Sequence, residues 1–350
     1  MHATAIATFC LAVPLAAQQL APAHSPQQVP SGPVSALVAD FNGDGFVDLL
    51  SLEGFRGDFS APWRLSAGDG SGLFSRTHAV ISPNQARMWS PRPIHTAGDF
   101  DGDGDIDVAY LAIYAVSPTL QIAVRIAAND GTGNFTASGT LPNAGIGNWS
   151  RVSAADLDQD GDQDLLVRRS GPDDTEVWSN NGSGTFTVTQ TFTTTPAHYN
   201  TRSQLLDIDN DGDLDYLAGS VWCNQGNGTF LECSAIAPGG LPAGPYALGD
   251  LNGDGFEDLL TPSGVWLRNQ GSTTLLPGVS LPGAGLASLH DLDNDGDLDA
   301  VIGSGWLPGL GSDLIAYLNN GNATFSIAPA GTVPDLADVR WTGALDIDAD

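Results

Sequence analysis

Six times along this chain an aspartate opens a short run in which oxygen-bearing side chains alternate with other residues and a glycine holds the sixth place, and the sequence ends five residues into a seventh such run. The runs are DFNGDGFVD from Asp40, DFDGDGDID from Asp99, DLDQDGDQD from Asp156, DIDNDGDLD from Asp207, DLNGDGFED from Asp250 and DLDNDGDLD from Asp291, with DIDAD from Asp346 ending the sequence. Their first aspartates lie 59, 57, 51, 43, 41 and 55 residues apart. Repetition at that interval means a fold built from copies of one small unit, none of which can bury its own apolar faces alone. A second motif follows each of the first six runs: GDGSGLF at 68–74, NDGTGNF at 129–135, NNGSGTF at 180–186, NQGNGTF at 224–230 and NNGNATF at 319–325, with the degraded NQGSTTL from Asn269. Clusters of Gly and Asn between apolar segments mark tight hairpins, because these residues accept positive φ at little cost.

Short runs rich in Val, Leu and Ile lead into the acidic loops (SALVAD, RVSAAD, QLLDID) and out of them (VDLLSL, DLLVRR, DAVIGS), as buried strands do. Each repeat therefore reads strand, acidic loop, strand, strand, glycine hairpin, strand. Four strands per repeat, stacked about an axis, make an all-β propeller. Six complete repeats and the start of another predict seven four-stranded blades over residues 34–350, as one domain.

Positions 1, 3, 5 and 9 of each complete loop carry side-chain oxygen. The sets are Asp40, Asn42, Asp44 and Asp48; Asp99, Asp101, Asp103 and Asp107; Asp156, Asp158, Asp160 and Asp164; Asp207, Asp209, Asp211 and Asp215; Asp250, Asn252, Asp254 and Asp258; and Asp291, Asp293, Asp295 and Asp299. The seventh loop offers Asp346, Asp348 and Asp350. Position 7 is Asp105, Asp162, Asp213 and Asp297 in four loops but Phe46 and Phe256 in two, so a cation there would take the backbone carbonyl. Such an oxygen shell, with glycine making the turn, suits Ca2+ at about one ion per complete loop, whereas Mg2+ keeps more water and a stricter octahedron. An EF-hand needs Glu at position 12; these loops have Ser51, Tyr110, Val167, Ala218, Thr261 and Ile302.

Loop aspartates account for the net charge of −29, since outside the loops acidic residues equal the 12 basic ones, all arginine. That distribution argues against nucleic acid as a partner. Residues 1–17 resemble a secretory signal peptide, though His2 is the one basic group before the apolar run, and 18–33 read as a Pro/Gln-rich linker. No segment is long and apolar enough to cross a membrane. Cys223 and Cys233 flank a Gly/Asn turn and could face each other as a disulfide, in keeping with an oxidising compartment; two buried thiols are the other reading.

The D-x-[DN]-x-D-G-x-x-D loop and N-x-G-x-G-x-F hairpin together resemble the FG-GAP or VCBS-type repeat of integrin α-subunits and many secreted bacterial proteins. The resemblance spans about residues 34–350. It implies calcium-binding propeller blades and a role in adhesion or recognition of an extracellular protein or glycan, in a secreted, periplasmic or cell-surface protein. A calcium-dependent carbohydrate-active enzyme, such as a propeller polysaccharide lyase, and a purely structural envelope protein are the alternatives. No catalytic motif is visible, and His95, His198 and His290 share no register with their loops. Trp178, Trp222 and Trp266 precede the hairpins and are expected to pack between blades. Trp89 with Arg92, Trp149 with Arg151, Tyr199 with Arg202 and Trp341 with Arg340 precede the loops. Flat aromatic faces and forked guanidinium donors make these the candidate ligand-binding residues, with packing between blades as the plainer role.

Overall fold

The structure, a computed structural model, describes residues 33–53, 63–70, 74–81, 95–116, 119–141, 148–170, 174–194, 204–209, 211–218, 220–233, 247–261, 264–268, 275–281, 287–303 and 314–329. These residues form six four-stranded antiparallel sheets, each taking its strands in chain order. Blade 1 has β1 (Pro33–Ala39), β2 (Asp48–Glu53), β3 (Trp63–Gly68) and β4 (Phe74–Ile81); blade 2 has β5 (His95–Gly98), β6 (Asp107–Val116), β7 (Thr119–Asn129) and β8 (Phe135–Thr140). Blade 3 comprises β9 (Asn148–Ala155), β10 (Asp164–Ser170), β11 (Asp174–Asn180) and β12 (Phe186–Thr193). Blade 4 comprises β13 (Gln204–Leu206), β14 (Asp215–Leu217), β15 (Val221–Asn224) and β16 (Phe230–Glu232). In blade 5 are β17 (Ala247–Gly249), β18 (Asp258–Thr261), β19 (Gly264–Arg268) and β20 (Leu275–Pro277), and in blade 6 β21 (Ala287–His290), β22 (Asp299–Gly303), β23 (Leu314–Asn319) and β24 (Phe325–Ile327).

The acidic run joins strands one and two of each blade and the glycine motif joins strands three and four, which is the order the sequence predicts. The described residues give six blades rather than seven; the expected seventh, with Asp346, Asp348 and Asp350, falls outside them.

The core lies between blades. Phe41, Leu50, Trp63 and Leu65 of blade 1 pack with Val108, Tyr110 and Ala127 of blade 2. Phe100 and Val124 of blade 2 meet Val152, Leu165 and Trp178 of blade 3, and Leu157, Val177 and Phe192 meet Tyr216 and Phe230 of blade 4. Two further clusters join blade 4 to blade 5 and blade 5 to blade 6. Blades 2 to 5 each pack one face against the blade before and one against the blade after, so inner strands such as β14 and β18 are buried throughout, whereas the outer strand β12 alternates. The first strands of blades 2 and 3 adjoin, as do those of blades 5 and 6. At the other edge, the Gln190 carboxamide of β12 pairs like a peptide group with the Phe230 backbone of β16, donating to its oxygen and accepting from its N–H, both at 2.8 Å.

Candidate metal centre

Position 9 closes each loop. Asp48, Asp107, Asp164, Asp215, Asp258 and Asp299 are buried, and one carboxylate oxygen of each accepts the N–H of position 2, from Phe41, Phe100, Leu157, Ile208, Leu251 and Leu292 at 2.8–3.1 Å. In five blades the other oxygen accepts the N–H of the residue that begins the hairpin: Gly68, Asn129, Asn180, Asn224 and Asn319. The same carboxylate thus fixes both ends of the loop and ties it to the third strand. Burial pushes the carboxyl up to about 7 in Asp107 and Asp164 and to about 6 in Asp215 and Asp299, against the smaller downward pull of these N–H donors.

Position 1 shapes the turn. Asp40 accepts from Gly43 and Gly45, Asp99 from Gly102 and Gly104, and Asp250 from Gly253 and Gly255, at 2.8–3.0 Å. The position-6 glycines all have φ between +87° and +97°, a conformation that strongly favours glycine. Position 5 accepts the N–H of position 7, as Asp44 does from Phe46 and Asp103 from Asp105.

These bonds gather the loop carboxylates. Oxygens of Asp99, Asp101 and Asp107 lie within 4.8 Å of one another, as do those of Asp156, Asp158 and Asp164, of Asp207, Asp209 and Asp211, and of Asp291, Asp293 and Asp295. Superposed on one loop, these sets are positions 1, 3, 5 and 9. Burial, then repulsion from the position-5 carboxylate, raises Asp101, Asp158 and Asp293 above the usual carboxylate range. In loop 3 a buried oxygen of Asp156 and another of Asp158 have no hydrogen-bond donor, an arrangement that costs free energy unless a cation occupies it. The donor set is all hard oxygen and fits Ca2+.

The position-7 side chain does something else. A Cβ added at the third residue of the same blade's hairpin would meet the position-7 side chain: Phe46 over Gly70, Asp105 over Gly131, Asp162 over Gly182, Asp213 over Gly226 and Asp297 over Gly321. Phe and Asp are interchangeable there because the place demands a side chain that lies against glycine, and no position-7 carboxylate joins the sets above.

The first hairpin asparagine clamps neighbouring loops. Asn129 Nδ2 donates to the Phe41 carbonyl of blade 1 at 2.8 Å and to Ile106 of its own loop at 3.1 Å. Asn180 bridges Phe100 and Gln163, Asn224 bridges Leu157 and Leu214, and Asn319 bridges Leu251 and Leu298. Every one of these asparagines therefore joins position 2 of the preceding loop to position 8 of its own. The sequence showed the recurrence of Asn but read it as turn chemistry, because hydrogen bonds across blades leave no pattern in a linear repeat.

Of the candidate ligand-binding residues, Trp149 and Arg151 lie on β9, where Arg151 is half-buried. Trp89, Arg92, Tyr199, Arg202, Arg340 and Trp341 fall outside the described residues. Trp178 is buried between blades 2 and 3, and Trp222 packs on Phe192 with ring centroids 4.4 Å apart. His95 lies edge-on against Trp63, and the desolvation of its ring lowers its pKa to about 4. Cys223 and Cys233 are joined, with Cα atoms 5.7 Å apart. Among the described residues no helix is long and apolar enough to cross a membrane.

The fold is thus a propeller of four-stranded blades with an acidic loop at the same corner of each. The model of the FG-GAP-like repeat matches residues 40–110, 113–167 and 163–218, just over half of the chain. The chain belongs to that family. No curated protein matches it in sequence. Among solved structures it is similar to an Agrocybe aegerita lectin described as recognising non-reducing terminal N-acetylglucosamine, with 19% identity over 83% of this chain and 78% of that one and a TM-score of 0.58. Also similar are the V. cholerae biofilm matrix protein Bap1, at 16% identity over 83% of this chain and 38% of that one with a TM-score of 0.30, and a fructofuranosidase from Schwanniomyces occidentalis, at 11% identity over 87% and 64% with a TM-score of 0.38.

Proposed function

We propose that this chain is an exported calcium-binding β-propeller, with the run from Asp346 opening a seventh repeat, that serves as a binding module for an extracellular glycan or protein. The observation that carries the calcium part is the recurrence of one four-oxygen loop in six blades, with donorless buried carboxylate oxygens in loop 3. Asp156, Asp158, Asp160 and Asp164 would hold the ion in that loop, and their counterparts would do so in the others. The ion neutralises carboxylates that otherwise repel one another and so holds each first strand to its second. Recognition then falls to surfaces that the ion does not consume, foremost the Trp149 and Arg151 end of β9.

Equilibrium dialysis should find about one Ca2+ per complete loop, and a chain that binds none ends this reading. A glycan array screened with and without calcium tests the second half: retention of a glycan class supports a binding module, whereas chain cleavage of a bound polysaccharide would favour the enzyme alternative.

A further inference from the structure

The residue just before each hairpin asparagine is Ala67 in blade 1, where Gly68 stands for the asparagine, Ala128 in blade 2, Ser179 in blade 3, Cys223 in blade 4 and Leu318 in blade 6. In blade 3 the Ser179 hydroxyl donates to Asp158, the third residue of its own loop, at 3.2 Å. This place on the third strand therefore reaches the cation loop. Blade 4 puts sulfur there: Cys223 Sγ and carboxylate oxygens of Asp209 and Asp215 all lie within 4.8 Å of one another. Cys223 and Asp215 are buried while Asp209 is exposed, so the three donors line a place open on one side. As the structure stands, the sulfur is spent in the bond to Cys233, which is half-buried.

We propose that Asp209, Asp215 and Cys223 form a latent site for a thiophilic divalent cation such as Zn2+ or Cd2+, opened by reduction of the Cys223–Cys233 disulfide. A disulfide sulfur is a poor metal ligand and a thiolate is a strong one for soft and borderline cations, whereas Ca2+ gains nothing from sulfur. The reductant is a dithiol. Its thiolate attacks the more exposed Cys233 Sγ, the S–S bond breaks, and the electron pair leaves on Cys223 Sγ. The reductant's second thiol then displaces Cys233 and closes its own disulfide, so two electrons pass to the protein. When the cation binds, it bonds Cys223 Sγ and the thiol proton passes to solvent. Metal–sulfur and metal–oxygen bonds of about 2.3 and 2.1 Å require the donors to close by no more than about an ångström, which rotation of the freed Cys223 side chain and of the exposed Asp209 carboxylate supplies. Asp207 and Asp211, whose oxygens lie within 4.8 Å of Asp209, complete the shell.

This site rests on the calcium reading only in treating loop 4 as a cation loop, and the test separates the two. The full chain is reduced with dithiothreitol, freed of reductant without air, and titrated with Cd2+ in both the presence and absence of calcium, following the thiolate-to-cadmium charge-transfer absorption. Reduced wild type should develop this absorption and saturate at one equivalent, and Cys233→Ser should do so with no reductant. The oxidised protein and Cys223→Ser should show none, although the latter keeps its other thiols. Asp209→Asn should weaken Cd2+ at least tenfold. No absorption in either the reduced wild type or Cys233→Ser, undiminished absorption in Cys223→Ser, or unchanged affinity in Asp209→Asn would each overturn the proposal. Calcium stoichiometry of the oxidised protein is measured alongside; its failure would sink the calcium reading and leave the cadmium result standing.

Discussion

Asp107 and Asp164 each combine two tasks that conflict once the loop is empty. Their oxygens receive backbone N–H groups that hold the loop closed, yet burial pushes both carboxyls up to about 7. The unfolded chain titrates these groups near 4, so the folded, metal-free protein binds more protons between about pH 4 and pH 7. A raised folded-state value contributes stability that is whole below the unfolded value and is lost as pH rises through the folded one. Without calcium, the melting temperature should therefore fall across that window. A bound cation takes up the exposed charge and adds stability by mass action, so melts in EDTA and in millimolar calcium should diverge as pH rises. Calorimetry showing a constant gap from pH 4 to 8 would mean that these carboxyls are not what calcium relieves. The sequence made the oxygen at position 9 visible but not its burial, since nothing in D-x-D-x-D-G-x-x-D distinguishes an aspartate that closes a loop from one that only faces a metal.

Within a blade, strands and hairpins follow from patterns local in sequence, and these were legible: apolar runs flanking each acidic loop became β9 and β10, and NNGSGTF became the turn between β11 and β12. What joins one blade to the next was not, because Asn180 meets Phe100 across 80 residues of chain. Asn180→Ala removes both donors and leaves the Phe100 and Gln163 carbonyls without them, which should cost about 2–6 kcal/mol at roughly 1–3 kcal/mol for each unpaired group. Urea unfolding of Asn180→Ala beside Asn181→Ala provides the comparison, as Asn181 serves only its own turn through Ser183 and Thr185. Equal losses in the two variants would reduce the clamp to ordinary turn chemistry. Position 7 was also half legible: its Phe/Asp exchange excluded a side-chain ligand, but the hairpin glycine beneath it came from the third strand, which no reading of the loop alone contains.

Across the whole molecule, the first strand separates two ends with different chemistry. From Trp149 to Asp156 the chain runs seven residues along β9, about 23 Å at the rise of a strand. Variants Trp149→Ala and Arg151→Ala should therefore weaken retention on whichever glycan the array identifies while leaving the calcium-dependent melting curve nearly unchanged. Normal retention by both variants would move the recognition surface elsewhere. The four clamps among the described residues point one way: each grips the loop of the blade before it, and blade 1 carries Gly68 where the other repeats carry Asn. Each such loop is therefore complete only when the blade that follows it in the chain is in place, so the clamps give the array of blades a direction, from the amino end towards the carboxyl end.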